Sequence, residues 1–314
     1  MLEVYFNSIT ELQEYATNND ISNIIVHLRN TFTNDVLVNN IDIFKKIQKL
    51  NYSYIKIKII LKELVNLQYL DCSYTQITKI PKELVNLQYL YCSYTQISKI
   101  PKELVNLQYL DCRCTNITEI PKEFVNLQYL DCSCIQQITE IPKELVNIRY
   151  LYCSMTQITE IPISFVNLKE LYCQYTRITE IPVSFVKLQE LDCSRTQITE
   201  IRKELINLTI LYCYDTKITE IPISFVNLQY LNCPWTQIKE IPISFVKLQY
   251  LNCYKTKITK IPDTLDNLQY IHSELISLEK HKENVLRYKN EIKDIIKRNN
   301  NLNDDVNTLI CSYI

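Results

Sequence analysis

From Leu67 onward, apolar side chains recur along the chain at a fixed period. Leu67, Leu70, Cys72, Ile77, Ile80 and Leu84 return as Leu87, Leu90, Cys92, Ile97, Ile100 and Leu104, through ten units ending at Asn267. The ten cysteines from Cys72 to Cys253 mark the register, with eight intervals of 20 residues and one of 21. The extra residue falls in Cys134-Ile135-Gln136-Gln137, past the apolar stretch, where a loop absorbs it. Leu and Cys alternate in the first six residues of each unit, which predicts a short strand with one buried side. Stacked copies predict a parallel sheet, sealed on its inner face by the remainder of each unit. Counting from Leu67, Ile at positions 11 and 14 and Leu or Phe at position 18 complete the core. Proline follows the second Ile in nine of ten units, Arg202 being the exception, and keeps that stretch extended. Twenty residues leave no room for a full helix, so the outer side is expected to be extended or 3₁₀. At about 4.8 Å per strand, ten units predict a sheet roughly 45–50 Å long.

The unit L-x-x-L-x-C-x-x-T-x-I resembles the leucine-rich repeat, L-x-x-L-x-L-x-x-N-x-L. Leu67, Leu70, Cys72, Thr75 and Ile77 stand at the matching positions of the first unit. Cys replaces the third Leu, and Thr replaces Asn in nine of ten units. The resemblance implies an α/β-type repeat solenoid: a horseshoe with a parallel concave sheet and an extended or 3₁₀ convex side. The 20-residue length is similar to the short repeats of bacterial secreted effectors. The Cys/Thr variant and the Ile-, Asn- and Tyr-rich composition are similar to leucine-rich-repeat proteins of giant amoeba-infecting DNA viruses. Thr at position 9 is expected to replace the Asn ladder, its hydroxyl bonding the backbone of the neighbouring turn.

A solenoid exposes its core at both ends and needs caps. Ile47, Leu50, Tyr52, Ile55, Ile57 and Ile60 form a degenerate unit over residues 47–66, and Ile21, Ile24 and Val26 repeat the strand spacing. Ser8-x-x-Glu11 reads as a capping box opening a helix with Ile9, Leu12 and Tyr15 on one face. Residues 1–46 are therefore expected to cap the N-terminal end. Leu268, Ile271 and Ser273 begin a further strand over residues 268–274. Val285, Tyr288, Ile292 and Ile295 then recur at helical spacing, predicting a helix over residues 275–298 laid across the last unit. Its alternative is a partner-binding coiled coil, and residues 275–314 as a whole read as a helical C-terminal cap. Leu309, Ile310 and Ile314 are expected to tuck back.

Composition narrows the function. Apolar residues make up 46% of the 314, enough for a continuous core. The net charge of -1 divides into -3 over residues 1–46, +2 over 47–270 and 0 over 271–314. No segment carries the basic excess that nucleic acid or an anionic membrane requires. The chain has no glycine, which excludes glycine-rich nucleotide loops. No signal-peptide pattern and no apolar run near 18 residues is present, so an intracellular protein is expected.

The candidate chemistry is sparse. His27, His272 and His281 lie outside the ten units with no partner at triad or zinc spacing. The cysteine column reads as core filler. Cys112-x-Cys114 and Cys132-x-Cys134 are the one metal-like constellation, but two of these thiols belong to the buried column and two lie past the strand. Glu119, Glu140, Glu160, Glu180, Glu200, Glu220 and Glu240 form an acidic column flanked by Lys79, Lys99 and Lys260, read as a solvated edge that Lys122, Lys143 and Lys203 partly relieve. No cofactor, metal site or catalytic residue is expected.

The outward strand positions carry the functional signal, because merely solvated positions would be polar. Position 3 is Tyr in most units, from Tyr69 to Tyr250, and a column stacking on itself explains it. Tyr91, Tyr152, Tyr172 and Tyr212 at position 5, Tyr214 at position 7, and Tyr94, Tyr175 and Trp235 at position 8 are less regular. Duplication alone would have kept them uniform, so they are assigned to a contact surface, with Arg177 and Arg195 among the interleaved charges that set selectivity. Asp71, Asp111, Asp131, Asp192, Glu170, Glu190, Asp215 and Lys255 are counted with those charges. The expected function is a non-catalytic protein-binding scaffold or adaptor. Its partner is an unidentified protein, with a host protein in the host cytoplasm implied by the viral resemblance. The alternative is a structural or assembly component, for instance of a virus particle, with Cys311 and the C-terminal helix as its tools.

Overall fold

A computed structural model describes residues 2–29 and 31–298, with side chains to residue 293. Leu309, Ile310, Cys311 and Ile314 lie outside the described residues. The chain forms two compact units, Met1–Gln197 and Ile198–Ile314.

In the first unit, strand β1 (Glu3–Phe6) leads through helix α1 (Ile9–Asn18) to β2 (Ile25–Leu28). Helices α2 (Asn34–Asn39) and α3 (Ile41–Phe44) precede β3 (Lys49–Asn51). Seven strands of three residues follow, one per repeat: β4 (Tyr69–Asp71), β5 (Tyr89–Tyr91), β6 (Tyr109–Asp111), β7 (Tyr129–Asp131), β8 (Tyr150–Tyr152), β9 (Glu170–Tyr172) and β10 (Glu190–Asp192). Each pairs in parallel with the next, and equivalent residues face one another: Leu70 opposite Leu90, Leu90 opposite Leu110. Register is set by the repeat itself, since a slip of one residue would turn Leu and Cys to solvent.

The strands are short, but the ladder between turns is not. The Cys72 N–H donates to the Tyr91 carbonyl at 2.8 Å, Tyr74 to Ser93 at 3.0 Å, and Gln76 back to Ile57 at 3.1 Å. Backbone pairing thus runs from position 2 to position 10. The core is the expected one: Leu67, Leu70, Cys72, Ile77, Ile80 and Leu84 are buried, as are their counterparts in later turns. Beyond the proline the chain makes two tight i to i+3 turns, Leu104 N–H to Pro101 at 3.2 Å and Leu107 N–H to Leu104 at 3.2 Å.

At the N-terminal end Ser8 caps α1, its Oγ accepting from the Glu11 N–H at 3.2 Å. The Glu11 carboxylate reaches back one residue further than the simple box, to the Asn7 N–H at 2.7 Å. Leu12 is buried and Tyr15 meets Phe6 edge-on at 5.4 Å.

The second unit repeats the pattern with β11 (Ile210–Tyr212), β12 (Tyr230–Asn232), β13 (Tyr250–Asn252) and β14 (Tyr270–His272), parallel and in register. Helix α4 (Leu278–Arg298) closes its end. Val285 is buried there, Ile292 half-buried and Tyr288 at the rim, while the Ile295 side chain lies outside the described residues. The residue that ties α4 down is His281, buried, with Nε2 donating to the Leu265 carbonyl at 2.8 Å. Lys289 adds an ion pair to Asp266 at 2.6 Å.

Candidate functional site

Three columns of side chains emerge from the strands. At position 3 the tyrosines stack on one another: Tyr109 on Tyr129 at 3.9 Å in the first unit, Tyr230 on Tyr250 at 3.9 Å and Tyr250 on Tyr270 at 4.5 Å in the second. Aromatic pairs across neighbouring strands stabilise the sheet, which accounts for this column without a ligand.

Position 5 is tyrosine in some turns and Asp or Asn in the others. Tyr91 packs between Tyr69 at 5.4 Å and Tyr109 at 4.6 Å. Tyr152 stacks on Tyr172 at 4.9 Å and donates its hydroxyl to Glu170. Tyr172 donates to Glu190 at 2.9 Å. In the second unit Tyr212 leans on Tyr230 at 4.9 Å. Rings and carboxylates thus interlock along the strands.

Where position 5 is Asp the expectation fails. Asp111, Asp131 and Asp192 are buried, not face charges open to a partner. Each closes an Asx turn that ends its strand: Asp131 Oδ1 accepts from the Ser133 N–H at 3.0 Å, and Asp192 from Ser194 at 3.0 Å. Asn51 and Asn252 make the same bond, at 2.9 and 3.2 Å. Arg113 bridges Asp111 at 3.1 Å and Asp131 at 3.5 Å. Burial, followed by the charge of Asp131, raises the Asp111 carboxyl to about 6 against the pull of Arg113. Burial likewise raises Asp71 and Asp192.

Position 8 is the corner where each strand turns down, and every residue there is left-handed. Tyr54, Tyr74, Tyr94, Cys114, Cys134, Met155, Tyr175, Arg195, Asp215, Trp235 and Lys255 have φ between 52 and 65°. Such a conformation is strained for residues with a Cβ and is ordinarily left to glycine or asparagine, yet this chain has no glycine. Packing along the corner offsets part of the cost. Tyr54 stacks on Tyr74 at 4.5 Å, Tyr74 on Tyr94 at 4.4 Å, and Arg195 lies over the Tyr175 ring at 5.1 Å.

The assigned contact residues therefore occupy several places. Tyr91, Tyr152, Tyr172 and Tyr212 stand on strands; Tyr94, Tyr175, Arg195 and Trp235 stand exposed at corners. Tyr214 lies half-buried between the two. Arg177 is exposed but sits past the corner, its N–H bonded to the Ile158 carbonyl at 3.0 Å in the preceding turn, so it does not share the strand face.

The threonines also differ from expectation. Thr75, Thr95 and Thr115 donate to the carbonyls of Cys72, Cys92 and Cys112 in their own turn, each at 2.6 Å. Side-chain links between turns come from the asparagine that ends most units, Lys187 and Lys247 standing there in two, and from serines such as Ser164 and Ser184. Asn86 donates to Val65 and Asn106 to Val85, both at 2.9 Å.

The buried cysteines are chemically quiet: desolvation pushes their thiols far above the ordinary range. Cys112 and Cys132 donate to the Asp131 and Tyr152 carbonyls at 3.3 and 3.6 Å. Cys114 and Cys134 stand at the surface corner instead, so the four sulfurs do not converge. On the acidic column, Glu119 pairs with Lys99 at 4.0 Å, fully in solvent.

Two family models for leucine-rich repeats match the sequence, one of two copies over residues 85–124 and one over residues 66–87. The chain has the leucine-rich-repeat fold, and residues 66–124 match its sequence models. No curated protein matches the sequence. Among solved structures, an internalin from Listeria monocytogenes superposes with a TM-score of 0.67 at 24% identity, over 74% of this chain and 76% of that one. The functional domain of InlJ from the same organism, described as including a cysteine ladder, gives 0.66 at 26% identity over 77% of this chain and 62% of that one. The Arabidopsis receptor kinase HAESA, in complex with a peptide hormone and a co-receptor, gives 0.70 at 19% over 88% and 54%. This leucine-rich-repeat chain thus spans less than two thirds of the length of the last two. No helix among its described residues is long and apolar enough to cross a membrane.

Proposed function

We propose that this leucine-rich-repeat protein is a non-catalytic scaffold or adaptor that captures a partner protein on the tyrosine-bearing side of its strands. The observation that carries the reading is the broken regularity of positions 5 and 8. Tyr94 and Tyr175 are 46% and 43% exposed at their corners, beside the half-buried Tyr91, Tyr152 and Tyr172. Large amphipathic rings of this kind are the usual anchors of protein recognition. The interlocked Tyr152, Glu170, Tyr172 and Glu190 are already ordered, so binding costs them little side-chain entropy. The HAESA complex supports the reading by analogy of fold. Intracellular action on a host protein belongs to the same proposal and rests on the composition shared with giant-virus repeat proteins. Replacing Tyr172, Tyr175 and Tyr212 with Ala should abolish partner capture from host lysate while the circular dichroism spectrum stays unchanged. An unchanged set of captured proteins sinks the reading.

One observation favours assembly as a second reading. Position 16 changes from Lys in early turns to Ile163 and Val183 in the first unit, 76% and 53% exposed. In the second unit Ile223 and Ile243 are 74% and 70% exposed. Uncovered branched side chains of this kind mark self-association. Light scattering after size exclusion decides: a strict monomer at high concentration rules it out.

A further inference from the structure

A groove of about 460 Å³ runs across four turns of the first unit, where the end of one turn leads into the next strand. Its walls are two columns of side chains, one on either side of the buried Leu107, Leu127 and Ile148. Asn106, Asn126 and Asn147 precede those core residues, and Gln108, Gln128 and Arg149 follow them. Gln88 and Asn167 extend the columns by one turn at opposite ends. Apart from Arg149, the lining consists of neutral amides.

The two columns differ in freedom. The asparagines are fixed to the preceding turn: Asn106 donates to the Val85 carbonyl at 2.9 Å, Asn126 to Val105 at 3.1 Å and Asn147 to Val125 at 2.8 Å. That leaves each Oδ1 as an ordered acceptor. Gln88, Gln108 and Gln128 make no side-chain bond among the described residues, so their amides can turn to donate or accept. The backbone ladder sets the step along the groove. The Gln108 N–H donates to the Gln88 carbonyl, Gln128 to Gln108 and Arg149 to Gln128, each at 2.8 Å. Successive amides are therefore one strand spacing, about 4.8 Å, apart. The asparagine column stops at the next turn, where Lys187 Nζ donates to Asn167 Oδ1 at 2.7 Å.

This lining selects by chemistry and by period. A single cation gives a phosphate polymer too little to bind, and walls of amides offer an apolar ligand no hydrocarbon. Ordered acceptors facing rotatable amides suit hydroxyl groups, each of which donates and accepts at once. Side chains on one face of an extended peptide recur at roughly 6.7 Å, out of step with the turns. Pyranoses joined through equatorial O1 and O4 form a straight chain that advances by close to one strand spacing per sugar. Duplication has kept the columns nearly uniform. Uniform columns cannot single out one place on a protein surface, but they match a polymer of identical units.

We propose that this groove binds a neutral, unbranched β-1,4-linked glycan, with one sugar to each turn. The sugar hydroxyls bridge the row of asparagine Oδ1 atoms and the row of glutamine amides. The asparagines are ordered beforehand, so their bonds cost little side-chain entropy, whereas each glutamine is ordered on binding. No aromatic ring lines the groove. Affinity therefore comes from hydrogen bonds repeated over successive sugars, and it rises with chain length. None of the tyrosines assigned to the protein partner lines the groove, so the two activities can be lost separately.

Isothermal titration calorimetry of the full-length protein with cellohexaose and with chitohexaose tests the site. At least one of the two should bind, and the corresponding disaccharide should bind at least about tenfold more weakly. Maltohexaose, whose α-linked chain curls, should bind no better than the disaccharide. Gln108→Ala/Gln128→Ala removes two amides that bond nothing in the fold. It should weaken the hexamer by roughly tenfold with an unchanged circular dichroism spectrum. The Tyr172→Ala/Tyr175→Ala/Tyr212→Ala protein should bind the hexamer as the wild type does. Absence of binding with both hexamers overturns the proposal, as does equal binding of maltohexaose. So does undiminished binding by Gln108→Ala/Gln128→Ala, or loss of binding in the tyrosine variant, which would place the sugar on the rings.

Discussion

The Thr95 hydroxyl donates to the Cys92 carbonyl of its own turn at 2.6 Å, not to a neighbouring turn. Threonine here closes the corner from inside, three residues after the strand's last core position. It satisfies a buried carbonyl on the near side of the left-handed Tyr94.

Removing that hydroxyl while keeping the shape isolates its contribution. Thr95→Val leaves the Cys92 carbonyl buried without its partner and should cost about 1–2 kcal/mol. Asn106→Ala removes a bond between turns at an exposed rim, where water replaces the lost donor, and should cost less than about 1 kcal/mol. Urea unfolding of both variants checks the order. A costlier Asn106 would show that stacking between turns, not closure of each turn, limits stability.

Stability should fall as pH rises through the acid range. Asp71, Asp111 and Asp192 all have carboxyls raised by burial, Asp111 to about 6. Between roughly pH 4 and 6 the native state then holds more protons than the unfolded chain, whose Asp groups titrate near 3.9. Linkage makes the slope of stability against pH negative in that window. The penalty is absent below pH 4 and complete above about pH 6. Asp111→Asn keeps the Asx turn, as Asn51 and Asn252 do. It should flatten the slope and raise the melting temperature at pH 7 but not at pH 4. Equal gains at both pH values would show that charge burial is not the cause.

The left-handed corner offers a second stability test. Lys255 has φ of 52° and only a cation–π contact with Tyr254, at 5.5 Å. Asparagine tolerates this conformation better, so Lys255→Asn should stabilise by roughly 0.5 kcal/mol. Tyr74→Asn, which removes a ring stacked on both sides, should instead destabilise. Thermal melts of the two variants should move in opposite directions. A gain for both would mean that corner stacking contributes nothing.

How much of this was legible before the structure follows from where each residue points. Leu70, Cys72 and Ile77 announce the core because periodicity and hydrophobicity alone place them. Helix α4 was legible for the same reason. The Asx turns were not. Asp111 and Asp131 look like face charges until their burial and their bonds to the Arg113 and Ser133 N–H groups are seen. The Asp-x-Ser spacing of Asp71, Asp131 and Asp192 before the corner was the available signal. The direction of the Thr95 bond depends on carbonyl orientation, which no sequence pattern carries. Arg177 was placed on the binding face by its charge, and the ladder puts it one step past the corner.

The cap at the C-terminal end separates buried from exposed polar contacts. His281 is buried, and its Nε2 is the hydrogen-bond partner of the Leu265 carbonyl in the last full turn. Lys289 reaches Asp266 next door, at 2.6 Å, with both groups partly in water. Surface ion pairs contribute about 0–1 kcal/mol, so Lys289→Ala should leave amide exchange across α4 nearly unchanged. His281→Ala opens a cavity and strands the Leu265 carbonyl, and a loss of about 2–4 kcal/mol is expected. That loss should appear locally, as faster exchange in α4 and β14, because a repeat array frays from its end. If the faster exchange reached Leu211 and Leu231 equally, the cap would hold the whole second unit rather than its last turn.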